Sequence, residues 1–448
     1  MKALRLVRFR GFLDSGWIEF RPLTLLFGHN SSGKSSILAA MLMLRQSLLN
    51  PDRTTPFLFT SDEGIDLGTF EDTVFEHKWH PQEPIEIHLR IGISDPVNEW
   101  PFLEREELNV QVGIGFDRPR RTLCLQRYRI YDTEEKTILD LRRTTPRPEG
   151  ALKVKSDFFP GRVPGHADIR WNHFLPEFPE SKEVHPSLVS LNRSVGKEIN
   201  ERLMDLIHIG PLRTEPSRFY YFSGESAASV GERGESTYKL LAALEYQGRT
   251  QELQTGVNKW LKRLGYSLEP KMIGKSPLIQ IGVREDREEA DGFQLNLVDV
   301  GFGISQVLPL LVQFYGSERG RSILLEQPEL HLHPRAQAEL GDLLREATAL
   351  HRLVVETHSE HLLLRLRRRI AEYGAGLRDD SFDPDNLAVY FVERSDARSS
   401  VTPIGFDELG QLRQAPESFR QFFSDDYEET LKIQKLIAEG QKRKQERE

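Results

Sequence analysis

The sequence predicts an α/β fold in which a parallel sheet carries a phosphate-binding loop. Three observations predict it. The apolar run LTLLF leads into GHNSSGKSS, residues 28–36, which fits G-x-x-x-x-G-K-[ST] with a strand before it and a helical pattern after it. Beyond residue 278, apolar runs of strand length alternate with stretches of helical period, as in a parallel sheet covered by helices. Between residues 85 and 131, the runs IEIHLRIGI, LNVQVGIGF and TLCLQRYRIY alternate with period two, predicting an added antiparallel layer.

Taken in order, strands are expected at residues 3–9, 17–20 and 23–27. A helix follows the glycine-rich turn, with Ile37, Met41, Leu44 and Leu48 on one face. Residues 158–216 are rich in Pro, His and charge with little period, and are read as irregular. Residues 234–264 read as helical. Strands are then expected at 278–283, 322–325 and 353–356, helices at 304–315, 334–350 and 359–373, and a last strand pair at 387–393 and 400–404. The implied organisation is the N-terminal part of a nucleotide-binding core with its antiparallel layer (1–160), a mixed, partly helical insertion lobe (161–290), the C-terminal part of the core (291–395) and a small tail domain (396–448).

Composition narrows the class. Hydrophobic residues make up 38% and charged residues 29% of the 448, as in a globular protein. A net charge of -8 argues against a protein that coats nucleic acid, while leaving a local basic groove open. The single cysteine, Cys124, cannot form an internal disulfide, and no apolar run reaches membrane-spanning length, so a cytoplasmic protein with no membrane contact is expected.

The loop carries the first chemistry. Gly28, His29, Asn30, Ser31, Ser32 and Gly33 would wrap a phosphate chain, with Ser36 following in the first helical turn. Lys34 would reach the β- and γ-phosphates and Ser35 would ligate Mg²⁺. The pattern arises by accident in on the order of 1–2% of chains this long, and its flanks make accident rarer still. A nucleotide enzyme also needs a carboxylate on the Mg²⁺ side and a group that positions water. SILLEQPELHLHP, residues 322–334, offers Glu326 for the first and Gln327 for the second. Alone, this is equally an apolar strand with a polar end. In VGFGISQVLPLL, Gly301 and Gly303 precede a helix whose first turn presents Ser305 and Gln306, a second anion site or an ordinary glycine loop. His358, in LVVETHSEHLL, stands just past an apolar strand, within reach of a γ-phosphate; a lone histidine there is more often a core or helix-start residue.

This ordered set resembles an ABC-type ATPase head of the RecF and structural-maintenance-of-chromosomes kind. It is more similar to the bacterial AAA-family ATPases related to the ATPase domain of OLD (overcoming-lysogenisation-defect) proteins, where PELHLHP and THSEHLL are typical wordings. IGPLRTEP and SVGERGES resemble that group too. The resemblance implies a P-loop NTPase ABC-type head with a mixed sheet, an antiparallel β layer and a helical insertion lobe, using ATP and Mg²⁺. It implies a homodimer, or a higher assembly of dimers, closing head to tail around ATP, with Ser305 of one chain capping the phosphate held by Lys34 of the other. Residues 331–334 would match the loop crossing that interface and His358 the switch histidine. Most such heads have Asp-Glu where this chain has Glu326-Gln327. Either hydrolysis is slow and ATP mainly holds a dimer, or Glu329 substitutes as the base.

A nuclease of the OLD type needs more acids than this chain offers. Glu393 and Asp396 stand alone on strands, and the pairs at 379–380 and 425–426 have loop-like contexts. No nuclease activity is expected from this chain alone. Phe419, Phe422 and Phe423 are expected to pack on the core or dock a partner. The arginines 118, 120, 121, 127 and 129, and the RLRRR run at 365–369, read as solvated faces or as phosphate contacts. The expected function is a regulatory ATPase that controls a separate effector protein, a nuclease, in bacterial anti-phage defence. The alternative is a RecF-like DNA-repair ATPase binding nucleic acid directly.

Overall fold

The computed structural model describes residues 1–420 except 63, 94–106, 146, 148–149, 162, 166–168, 179–183, 226, 247–253, 275, 286–293 and 378–381. The acid pairs at 379–380 and 425–426, together with Phe422 and Phe423, lie outside the described residues.

The chain opens with β1 (Ala3–Phe9), β2 (Phe12–Asp14), β3 (Ile18–Glu19) and β4 (Leu23–Phe27), then α1 (Lys34–Leu49). Next come β5 (Ile85–Gly92), β6 (Glu107–Asp117), β7 (Thr122–Tyr131), β8 (Thr137–Arg143) and β9 (Leu152–Lys155). With β1 and β2 they form one antiparallel sheet, ordered β2-β1-β5-β6-β7-β8-β9, with β3 also on β1. A two-stranded ribbon, β10 (Arg170–Asn172) and β11 (Leu175–Glu177), precedes α2 (Pro186–Met204) and β12 (Leu206–Ile209). A four-stranded sheet follows, from β13 (Tyr220–Tyr221), β14 (Tyr266–Met272), β15 (Leu278–Glu285) and β16 (Gln294–Asn296), with α3 (Thr237–Tyr246) between its first two strands. The chain then alternates: α4 (Phe302–Gly316), β17 (Ser322–Glu326), α5 (Pro334–Ala347), β18 (Arg352–Thr357), α6 (Glu360–Gly374), β19 (Leu387–Ser395), β20 (Arg398–Phe406) and β21 (Leu412–Gln414).

The central sheet is ordered β12-β17-β18-β4-β19-β20-β21. Strands β12 to β19 run parallel, and β20 and β21 close the edge antiparallel. This is the mixed sheet with an antiparallel layer that the sequence predicts. Because side chains alternate along a strand, the sheet feeds two cores. Leu26, Leu324 and Val354 face α1, α2 and the antiparallel sheet. Leu25, Leu325 and Val355 face α4, α5 and α6.

Two local expectations fail for physical reasons. The first helix was expected to bury one face, but α1 lies between two sheets and buries residues all round, from Ile37 to Leu44 without a break. Residues 158–216, expected to be irregular, contain α2, a 19-residue helix. Pro186 sits at its first turn, His185 caps it by accepting the Ser187 N–H at 3.2 Å, and Leu188, Leu191, Val195, Ile199 and Leu203 are buried. Phe419 is 1% exposed and packs on Phe27 and Phe391, so it belongs to the core.

Candidate active site

The site forms where the parallel strands end. All five residues of β4 are buried, and the loop that follows turns sharply through three positive-φ residues, Gly28 (φ 147), Ser31 (φ 60) and Gly33 (φ 113). Gly28 admits no side chain, because a Cβ there would lie 2.0 Å from the Val392 carbonyl oxygen. Gly33 is the left-handed cap of α1. Lys34 is 3% exposed, and its Nζ donates to the carbonyls of Gly28 (2.9 Å) and His29 (2.6 Å). Burial holds the lysine below its ordinary range, while Glu356 and Glu329 pull it back up.

Residues 30–36 line a cleft of about 970 Å³ together with Gln327, Glu356 and His358. Three widely separated segments therefore converge on one cleft. His358 reaches the cleft from the end of β18. Burial and the nearby Lys34 charge push its ring down to about 4, against the pull of the Gly28 backbone, so it is neutral at pH 7. Gln327 follows β17 in the left-handed region (φ 43), its N–H donating to the Glu356 carbonyl at 2.8 Å. Arg10 and Arg394 also line the cleft, and the sequence does not single them out. Burial lowers the Arg10 guanidinium from its ordinary value, against the pull of Asp66 and Asp72.

The acidic residues are distributed differently from expectation. In the parallel register Glu326 sits opposite Glu356, so both point to the α1 face of the sheet. The carboxylate that meets Ser35 is Glu356: Ser35 Oγ donates to Glu356 Oε1 at 3.1 Å. Glu326 lies one strand further out, where His208 Nε2 on β12 contacts its Oε1 at 2.8 Å. The structure does not bring Glu326 to Ser35.

Glu329 does not line the cleft either. It is 7% exposed and its Oε1 accepts the His358 N–H at 2.7 Å, tying the β17 turn to the loop after β18. Burial pushes its carboxyl up, opposed by that backbone N–H and by Arg213. Through Oε1 it acts as a clamp, while its Oε2 is buried without a hydrogen-bond partner. Arg213, from IGPLRTEP, completes the clamp. It is 5% exposed and donates to the carbonyls of Glu326 and Gln327, both at 3.3 Å. Burial pushes it down to about 10, against the pull of Glu329 and Glu326.

Gly303, Ser305 and Gln306 lie apart from this cleft. Gly303 is in the first turn of α4, where an added Cβ would stand 3.4 Å from Leu332. Ser305 and Gln306 are 6% and 2% exposed, while Gly301 at the helix cap is open to solvent. Residues 331–332 and the start of α4 are thus neighbours within one chain, and the cleft is elsewhere.

Most arginines of the basic clusters have partners within the chain. Arg365 and Arg369 bind Asp342 across the α5–α6 contact, and Arg368 binds Glu372. Arg118, Arg120 and Arg127 pair with Glu71, Asp117 and Asp140, and Arg129 binds Thr137. Glu393 accepts the Ser418 hydroxyl at 2.6 Å. Among the described residues no helix is long and apolar enough to cross a membrane.

Comparison with solved structures returns heads of structural-maintenance-of-chromosomes proteins. One is an SmcHead bound to the C-winged helix domain of ScpA (12% identity, 90% of this chain and 97% of that chain, TM-score 0.42). Another is the SMC head domain from Thermotoga maritima (13%, 90% and 98%, TM-score 0.39). A third is an Smc head domain with an extended coiled coil bound to the C-terminal domain of ScpA derived from Pyrococcus furiosus (11%, 98% and 99%, TM-score 0.40). These likenesses are too loose to bear on function. No curated protein matches the chain. Residues 126–365, more than half of the sequence, match the family described as AAA domain, putative AbiEii toxin, Type IV TA system, and the chain is a member of that family of ATPase domains.

Proposed function

We propose that the protein is an ABC-type ATPase that binds ATP with Mg²⁺, dimerises around it, hydrolyses it slowly, and thereby regulates or scaffolds a separate effector, a nuclease, in bacterial anti-phage defence. The observation that carries the reading is the convergence of residues 30–36, Gln327 and His358 on one cleft at the ends of the parallel strands. Lys34 and the amides at the start of α1 suit the phosphates, and the Ser35 hydroxyl suits the cation they bring. A bound Mg²⁺ would supply charge neutralisation for the phosphates.

Slow turnover follows from Gln327, which can orient water but cannot accept its proton. Glu329 is not among the residues that line the cleft, which leaves the water to Gln327. Gly303, Ser305 and Gln306 do not line the cleft of their own chain, and a second copy would bring them to the phosphates. The exposed cap at Gly301 is the side from which they would be reached. The family description names a putative AbiEii toxin and a Type IV TA system, and the separate effector rests on the sequence resemblance. The internal pairing of the arginine clusters gives the RecF-like alternative no support.

Sedimentation with and without ATP tests the dimer, and single-turnover kinetics tests the rate. The proposal expects an ATP-dependent doubling of mass and a lower rate in Gln327→Ala. A monomer at saturating ATP would refute the clamp. A co-purifying nuclease whose activity changes with ATP would support the effector role, and a nuclease indifferent to this protein would refute it.

A further inference from the structure

We infer that Glu356, and not Glu326, is the carboxylate through which this site holds its divalent cation; this rests on the nucleotide reading above. Glu326 ends β17, which β18 separates from the P-loop strand β4. In the parallel register Glu356 occupies the same row one strand closer to the P-loop.

Three features single out Glu356. Its Oε1 already receives the Ser35 hydroxyl at 3.1 Å, so the serine oxygen and the carboxylate stand side by side. Its Oε2 is buried without a hydrogen-bond partner, in a residue that is 4% exposed and lines the cleft. A buried, unpartnered carboxylate oxygen calls for an explanation, and a hard cation at the cleft is the one the surroundings fit. Glu326, by contrast, is engaged from its far side: His208 Nε2 stands 2.8 Å from its Oε1, and His208 Nδ1 lies 3.5 Å from Glu232. Glu326 is therefore a positioning residue that fixes the end of β17 against β12, and Glu356 with Ser35 forms the protein side of the cation site.

The test is equilibrium binding of a fluorescent ATP analogue, in Mg²⁺ and in EDTA, to the wild type, Glu356→Gln and Glu326→Gln, each first checked for folding by circular dichroism. The wild type should bind more tightly with Mg²⁺. Glu356→Gln should lose on the order of 10–100-fold of that gain, while its binding in EDTA stays close to wild type. Glu326→Gln should keep the Mg²⁺ gain. Loss of the gain in Glu326→Gln, or its persistence in Glu356→Gln, overturns the inference. Failure of the wild type to bind the analogue in either buffer is a different result: it removes the nucleotide reading itself, and the inference with it.

Discussion

Substituting Glu356 by glutamine should stabilise the free protein while impairing it. The carboxylate is 4% exposed, and one of its oxygens has no hydrogen-bond partner. Leaving a buried polar atom unsatisfied costs about 1–3 kcal/mol, and more when it is charged. Burial pushes this carboxyl above the ordinary carboxylate range; Glu326 and Glu329 add to the shift, while Ser35 and Lys34 oppose it. The sign follows directly. A folded-state pKa above the unfolded value means that stability is fully present below the unfolded value, near 4.5, and is lost as pH rises through the folded one. Above that window Glu356→Gln removes the charge and keeps the shape, so the gain should be roughly 1–2 kcal/mol. At this length about 1 kcal/mol moves the melting temperature by only about 1 °C, so urea denaturation at pH 5 and pH 8 is the better assay. The account expects the gain to be larger at pH 8 than at pH 5. A loss of 1 kcal/mol or more at pH 8 would show that the Ser35 contact outweighs the buried charge, and would refute the reasoning.

Other perturbations follow from the same geometry. Arg213→Met should destabilise by roughly 2–4 kcal/mol in urea titrations, because it frees the Glu326 and Gln327 carbonyls and removes the cation beside buried Glu329. Asp342→Asn should cost about 3–5 kcal/mol, since Asp342 is 2% exposed and takes both Arg365 and Arg369. His358→Gln should flatten stability on the acid side: the wild-type histidine, held at about 4 against an unfolded value near 6.5, favours the fold above pH 6.5, an advantage lost as pH falls toward 4 and reduced by the solvent that reaches its half-buried ring. Equal acid sensitivity of the two proteins would contradict that placement.

What the sequence disclosed was mostly local. The P-loop, the strand into Glu326 and the start of α4 are each specified within about ten residues by period, glycines and caps, which is the range over which such signals act. Glu356 was passed over although it ends an apolar run, VVET, because its importance depends on which strand lies between β17 and β4, a matter of sheet order. The His208–Glu326 contact was hidden for the same reason, since the two residues are 118 positions apart. The helix α2 did leave a trace, with Leu188, Leu191, Val195, Ile199 and Leu203 at helical spacing, masked by the proline and charge around it. The full burial of α1 was not legible, since one sheet on each side is a tertiary fact.

The central claim is that residues 28–36 and their neighbours bind and hydrolyse ATP. The most direct measurement is ATP binding and phosphate release by the wild type and by Lys34→Ala in Mg²⁺. Lys34 carries the only positive side chain buried within the loop, so its removal should lower turnover on the order of 100-fold or more and weaken ATP binding. Turnover and affinity unchanged in Lys34→Ala would contradict the account.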